Sequence, residues 1–250
     1  MLLEREKIAV HGIVQGVGFR PFIHKLVQEY GLRGFIKNTS SGVELELEGE
    51  RETLERFTEA LPLRAPKLAV IESVEAEFTA ELKNYPDFRI LKSKTEEFRN
   101  TLISPDICIC DDCLRELRDR NDRRYRYPFI NCPNCGPRFT IIKDVPYDRC
   151  KTSMSEFPMC PDCDREYHDI EDRRYHAQPD CCPVCGPQVF FLDAEGNRLE
   201  GDAIELAREY VKDGKIIAVK GLGGMHLACS CAEPEAAMTL RRRKQRDEKP

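Results

Sequence analysis

No apolar run in this 250-residue chain approaches the roughly 20 residues needed to span a bilayer, so no membrane segment is expected. The opening Met1-Leu-Leu-Glu-Arg-Glu-Lys7 lacks the apolar core and cleavage pattern of a secretory signal. A reducing, cytoplasmic compartment is therefore expected. Nor is positive charge in excess. Lys and Arg number 39 against 44 Asp and Glu, a net charge of −5, which leaves no general basic field for nucleic acid or an anionic membrane. With 33% charged residues the chain reads as solvated and soluble, and its length suits one to three domains.

Cysteine, by contrast, is plentiful. Thirteen are present, and eight form a double repeat. Cys110-x-x-Cys113 is followed after eighteen residues by Cys132-x-x-Cys135-Gly-Pro; fifty residues on, Cys160-x-x-Cys163 is followed after eighteen by Cys182-x-x-Cys185-Gly-Pro. Arg115-Glu116 recurs as Arg165-Glu166, and Asp122-Arg-Arg-Tyr125 as Asp172-Arg-Arg-Tyr175. Self-similarity at a fixed period marks a duplicated unit. Paired Cys-x-x-Cys steps place two sulfurs of a tight turn on one ion, the spacing of a closed four-thiolate zinc site. Such a site leaves no position open for chemistry, so two structural zinc ions are expected. Disulfides or an iron–sulfur cluster are the alternatives; a reducing compartment argues against disulfides. Sequential pairing of the knuckles is the simplest, and a crossed arrangement stays open. Cys108, Cys150, Cys181, Cys229 and Cys231 are read as free thiols or packing residues, with Cys108 and Cys181 close enough to knuckles to be ligands instead. His168 and His176 are not counted as ligands. The Asp-Arg-Arg-Tyr runs read as a solvated face rather than a docking surface, and Leu114–Asp119 and Asp164–Asp169 as short helical turns.

Residues 1–91 read as a ferredoxin-like β-α-β-β-α-β sandwich. Ile8–Val10 is a strand. Phe22, Ile23, Leu26, Val27 and Tyr30 share a helical face, with Pro21 in the first turn and Gly31 and Gly34 closing the helix. Gly34–Asn38 and Val43–Leu47 are strands, Leu54, Phe57 and Leu61 mark a second helix, and Lys67–Phe78 with Phe88–Leu91 supply a last strand or two. Between first strand and helix, Gly16 and Gly18 let Gln15, Gly16, Val17, Gly18 and Phe19 curl so that backbone N–H groups converge on an anion, with Arg20 adding a planar fork for phosphate oxygens. His11 and His24 read as surface or half-buried residues.

Gly12-Ile-Val-Gln-Gly-Val-Gly-Phe-Arg20 and Gly34-Phe-Ile-Lys-Asn38-Thr-Ser-Ser-Gly42 resemble the two signature blocks of the acylphosphatase family. The resemblance implies that Arg20 binds the phosphate and Asn38 orients the attacking water. An acyl phosphate is already activated, so an anion cradle and one placed water suffice.

Residues 92–107 read as a polar linker, 108–192 as the double zinc module, and 200–250 as the start of a third domain. There Ala203–Val211 suggests a helix, Ile216–Val219 a buried-type strand, Lys220–Leu227 a glycine-rich turn, and Ala236–Lys249 a basic helical run. This segment resembles the opening of a YrdC-type nucleotide-binding domain. The resemblance implies that Lys244 and Arg246, with Pro250 following, contact ATP-derived phosphates. Because only about fifty residues of that domain are present, the chain is expected to be partial.

The order of these three parts, with Tyr125–Thr140 and Asp172–Pro179, resembles the HypF family, carbamoyltransferases of [NiFe]-hydrogenase maturation. The implied fold class is α+β: a ferredoxin-like acylphosphatase sandwich, a small duplicated four-cysteine zinc module and the opening of a YrdC-like α/β domain. The implied chemistry is cleavage of carbamoyl phosphate, adenylation of carbamate by ATP, and transfer to the C-terminal cysteine of the partner protein HypE. This portion alone is expected only to hydrolyse acyl or carbamoyl phosphates. Two other readings compete: a zinc-ribbon protein that binds nucleic acid and carries a vestigial acylphosphatase domain, with RNA held through the YrdC-like part, and a stand-alone acylphosphatase. The acidic residues of the zinc module weaken the first of these.

Overall fold

The computed structural model describes residues 3–93 and 102–246, which form two compact units divided at Gly186 and Pro187. Half of the expected linker, residues 94–101, and the expected Pro250 contact lie outside the described residues.

In the first unit β1 (Leu3–Ile13) leads into α1 (Phe19–Tyr30), followed by β2 (Arg33–Thr39), β3 (Gly42–Glu50), α2 (Arg51–Arg64), β4 (Val70–Thr79) and β5 (Phe88–Ile90). The sheet order is β4-β1-β3-β2-β5. All neighbours are antiparallel except the β2–β5 edge pair. One sheet face buries Ile8, Val10, Ile36, Leu45 and Leu47 against Ile23, Leu26 and Val27 of α1 and Leu54, Phe57 and Leu61 of α2. These are the residues whose periods of two and 3.6 mark strands and helices. α1 ends at Gly31 (φ 65°), where the N–H groups of Gly31 and Leu32 reach back to Gln28 and Val27. Gly34 does not close that helix. It lies inside β2, where a β-carbon would stand 1.9 Å from the Glu46 carbonyl oxygen.

Glu6 of β1 is buried and accepts from the Thr58 hydroxyl at 3.1 Å. Burial raises its carboxyl from 4.5 to about 7, against the lowering pull of the Thr58 bond. The folded chain therefore keeps a proton that the unfolded chain has released between those values, so stability falls as pH rises through that window. Glu6→Gln should flatten this slope, raising stability at pH 8 by about 1–2 kcal/mol relative to pH 5. Urea midpoints at the two pH values check it; an unchanged slope would refute it.

The rest of this unit is the cysteine double repeat. α3 (Asp111–Arg118) and α4 (Pro161–His168) each follow the first knuckle of a repeat. The copies match in detail. Asp122 and Asp172 accept from the N–H of Arg124 and Arg174 at 2.7 Å, and Arg126 and His176 both take φ above 50°. The Asp-Arg-Arg-Tyr runs are not a solvated face. Arg124 and Arg174 are 2% and 4% exposed. Arg123 and Arg124 of repeat one each reach Glu166 of repeat two at 2.6 Å, while Arg173 reaches Glu116 at 2.6 Å and Arg174 pairs with the same carboxylate. Crossed ion pairs thus join one repeat to the other, beside a buried cluster that includes Tyr127, Ile130 and Cys181.

The second unit carries a small hairpin of β6 (Phe191–Leu192) and β7 (Arg198–Leu199), α5 (Ala203–Lys212), β8 (Ile217–Lys220), β9 (Met225–Ala228) and α6 (Pro234–Lys244). Asp202 caps α5, accepting from the N–H groups of Ile204 and Glu205. The expected glycine turn is only Gly221–Gly224; Met225–Leu227 pairs back on β8 as a strand. The expected burial of β8 is not found. Val219 is exposed, as are Met225 and Leu227 of β9.

Candidate functional site

The loop between β1 and α1 is shaped by Gly16 (φ 72°) and Gly18 (φ 75°), a left-handed conformation open to glycine at little cost. α1 starts from Gly18 without a side-chain cap, which leaves first-turn N–H groups for an anion. Arg20 is buried in that first turn. Asn38, on β2, is 1% exposed, and neither end of its amide has a hydrogen-bond partner among the described residues. A buried amide left unpaired is costly, on the order of 1–3 kcal/mol per group. A buried amide left open beside a cavity is available to a ligand. Gly16, Gly18, Phe19, Arg20 and Asn38 line one cavity. Gln15 lines it too, but its side chain is spent on structure. Its Nε2 donates to the carbonyls of Thr39 (2.8 Å) and Gly42 (2.7 Å), and its Oε1 accepts from Tyr147 N at 2.8 Å.

The rest of the lining comes from the cysteine repeats and the segment between them: Pro133, Arg138, Tyr147, His176, Gln178 and Pro179 among others. None of these was singled out from the sequence as a site residue. Arg138 is 1% exposed and gives all five of its donors to carbonyls. Nε bonds Gly16, Nη1 bonds Cys135 (3.1 Å) and Pro137 (2.9 Å), and Nη2 bonds Cys132 (2.8 Å) and Pro133 (2.9 Å). One guanidinium thus joins the glycine loop to a cysteine knuckle. Asp148 accepts from Arg20 Nη1 at 3.1 Å, a single-pronged contact that orients the guanidinium. Burial pushes the Tyr147 hydroxyl up to about 12, so it stays a neutral donor. Burial and then the Arg20 charge push His176 down to about 3, so its ring is neutral. His11 bonds the Ser41 carbonyl, and His24 meets Phe88 and Tyr175 edge to face; neither lines the cavity.

The eight repeat cysteines gather as two sequential quartets: Cys110, Cys113, Cys132 and Cys135; Cys160, Cys163, Cys182 and Cys185. Neighbouring sulfurs are 3.6–3.8 Å apart. A tetrahedral ion with Zn–S of about 2.3 Å requires about 3.8 Å between sulfurs, whereas a disulfide requires about 2.05 Å. The donor set therefore fits zinc. The N–H groups of Asn134 and Val184 point at the sulfurs of Cys132 and Cys182 at 3.3 and 3.4 Å, the same second contact in both copies. No histidine joins either quartet. Cys108 is exposed, and Cys181 is buried beside Tyr127 and Asn131, outside both.

Lys244 closes α6 and Arg246 follows it, both exposed.

Comparison with known proteins bears on each part. The acylphosphatase family profile matches residues 6–90, and the HypF finger profile matches 109–142 and 159–192. A profile described as telomere recombination, of the Sua5–YciO–YrdC group, matches 209–250. Carbamoyltransferase HypF2 of Cupriavidus necator is 49% identical over 248 residues, 98% of this chain and 31% of that protein. The chain belongs to the HypF family. A crystal structure of full-length HypF in a phosphate- and nucleotide-bound form superposes with a TM-score of 0.92 at 50% identity, covering 99% of this chain and 32% of that one. An acylphosphatase of Archaeoglobus fulgidus is 40% identical over 85 residues, 34% of this chain and 93% of its own length. The chain spans about a third of the length of the HypF relatives it matches. Its described parts are thus an acylphosphatase domain, HypF fingers with cysteine clusters suited to zinc, and a Sua5–YrdC segment. No helix among the described residues is long and apolar enough to cross a membrane.

Proposed function

We propose that the acylphosphatase domain of this HypF-family chain hydrolyses carbamoyl phosphate, as the first step of a carbamoyl transfer. The observation that carries this is the Asn38 amide, buried and unpaired beside Arg20 and an uncapped glycine loop. The amides of Gln15–Phe19 and the Arg20 guanidinium hold the phosphoryl oxygens, and Asn38 aligns a water in line with phosphorus. The water oxygen bonds to phosphorus as the bond to the carbamoyl oxygen breaks. Carbamate leaves as an anion, and the water's protons go to phosphate and solvent.

In this reading residues 1–91, 108–192 and 200–250 are three functional segments. Two structural zinc ions hold the fingers through the sequential quartets. Carbamate is then adenylated by ATP on the YrdC-like domain, with Lys244 and Arg246 toward the phosphates, and passes to the C-terminal cysteine of HypE. The exposed basic end of α6 is assigned to nucleotide phosphates rather than RNA. The site of action is the cytoplasm. The 250-residue chain by itself releases phosphate from carbamoyl phosphate.

Arg20→Ala tests the first step. Removing one fixed donor to a developing anion costs about 10²–10³ in rate. Phosphate release from carbamoyl phosphate should fall by that factor while the melting temperature holds. Unchanged turnover in the variant would overturn the assignment.

A further inference from the structure

Part of the pocket lining lies outside the acylphosphatase domain. Beyond the glycine loop, Arg20 and Asn38, the lining includes Tyr147, which packs on Gly16, and the turn His176–Pro179. That turn is stiff. Arg149 donates to the carbonyls of Gln178 (2.8 Å) and Asp180 (2.7 Å), and Gln178 Oε1 accepts from Arg149 N at 2.8 Å. The His176 ring lies between Tyr167 and Tyr175, with centroids 5.1 and 4.5 Å away.

Three polar groups on the pocket lining are buried without a partner among the described residues: the Asn38 amide, the Tyr147 hydroxyl and His176 Nδ1. The space open to the centres of water molecules is about 20 Å³, where one water needs on the order of 10–15 Å³. His176 stands where repeat one carries Arg126, on the same left-handed turn, bonded through its N–H to Tyr167 O as Arg126 is to Leu117 O, both at 2.9 Å. The duplicated backbone is kept, and the side chain that faces the pocket differs.

We propose that the second finger sets the acyl-group specificity of the phosphatase site: His176 and Tyr147 hydrogen-bond a small polar acyl group and shut out bulky ones. This rests on the acyl-phosphate reading above. A neutral imidazole offers one donor and one acceptor, and the phenol one more of each. A carbamoyl group, with N–H donors beside a carbonyl, satisfies them. An acetyl group of the same size lacks the N–H donors, and a benzoyl group lacks both the donors and the fit. A site built to hydrogen-bond its substrate rejects analogues that leave its buried groups unpaired.

The test measures kcat/KM for carbamoyl, acetyl and benzoyl phosphate on the 250-residue chain and its His176→Ala variant. The unsubstituted chain should favour carbamoyl over acetyl phosphate by about 10–100-fold and turn over benzoyl phosphate least. In His176→Ala the carbamoyl-to-acetyl ratio should fall at least fivefold and benzoyl phosphate should gain relative to both. A merely structural role would lower all three alike, and ratios unchanged within twofold would overturn the proposal. If His176→Ala fails to fold, His176→Arg, which copies the first repeat's residue on the same turn, decides on the same ratios. No phosphate release from any of the three by the unsubstituted chain would instead sink the acyl-phosphate reading itself.

Discussion

Arg138→Ala is expected to destabilise the first unit by about 3–4 kcal/mol and to cut phosphate release on the order of 10²-fold. The stability term follows from what the side chain does. Five carbonyls in a buried region, from Gly16, Cys132, Pro133, Cys135 and Pro137, lose their donors together. Each buried acceptor left unpaired costs about 1–3 kcal/mol, reduced where water enters the space vacated. The kinetic term follows from position. Gly16 is in the phosphate loop, and Arg138 Cδ would be 3.1 Å from a β-carbon at Gly16, so the finger side chain packs directly on the loop. A loop displaced by about 1 Å misaligns a reacting group enough for a hundredfold loss. Arg138→Lys should not rescue either effect, because an ammonium cannot present a planar fork to both sides. Urea midpoints and phosphate release on the same preparations check this. A change under about 1 kcal/mol with full turnover would show that loop and knuckle hold their places independently.

Cys132→Ser carries the other large effect. Metal content should drop from about two ions per chain to about one, with loss of several kcal/mol of finger stability, because structural zinc binding is folding free energy of about 10–16 kcal/mol per site. The remaining ion should also be held more weakly. Arg173 Nη1 donates to Cys113 Sγ at 3.4 Å while pairing with Glu116, and Arg123 Nη2 donates to Cys163 Sγ at 3.2 Å while pairing with Glu166. Each quartet thus has its negative charge balanced by an arginine of the other repeat. When the first repeat loosens, Arg123 no longer supports Cys163, and outer partners of this kind are worth about 10–100-fold in metal affinity. Metal analysis and chelator competition read both numbers. Two retained ions would mean the ligand set is wrong, and a second ion of unaltered affinity would mean the crossed bonds are incidental.

Much of the fold was readable because its signals are local. Alternation in Val43–Leu47 and helical spacing from Ile23 to Val27 mark faces that water must leave, whatever they pack against. A Cys-x-x-Cys step implies a knuckle by chain geometry alone. The Asp-Arg-Arg-Tyr runs went the other way. Charge next to charge reads as surface, and only the crossed docking of the two repeats puts Arg124 and Arg174 against carboxylates in a buried place. β9 was hidden behind glycines for a similar reason: a short strand is defined by its partner, here β8.

By itself the order of residues determined the helices and longer strands of residues 1–91, the glycine turn with Arg20 and Asn38 as candidates, and the eight sulfurs with their grouping into knuckles, since each depends on spacing within a few residues or on an internal copy. Tertiary structure alone decided that the cysteine repeats line part of the phosphate pocket, that Arg138 joins loop to knuckle, and that His176 and Tyr147 share a cavity with Asn38. Those contacts join positions more than a hundred residues apart, and no periodicity along a chain records which distant surfaces will exclude water together.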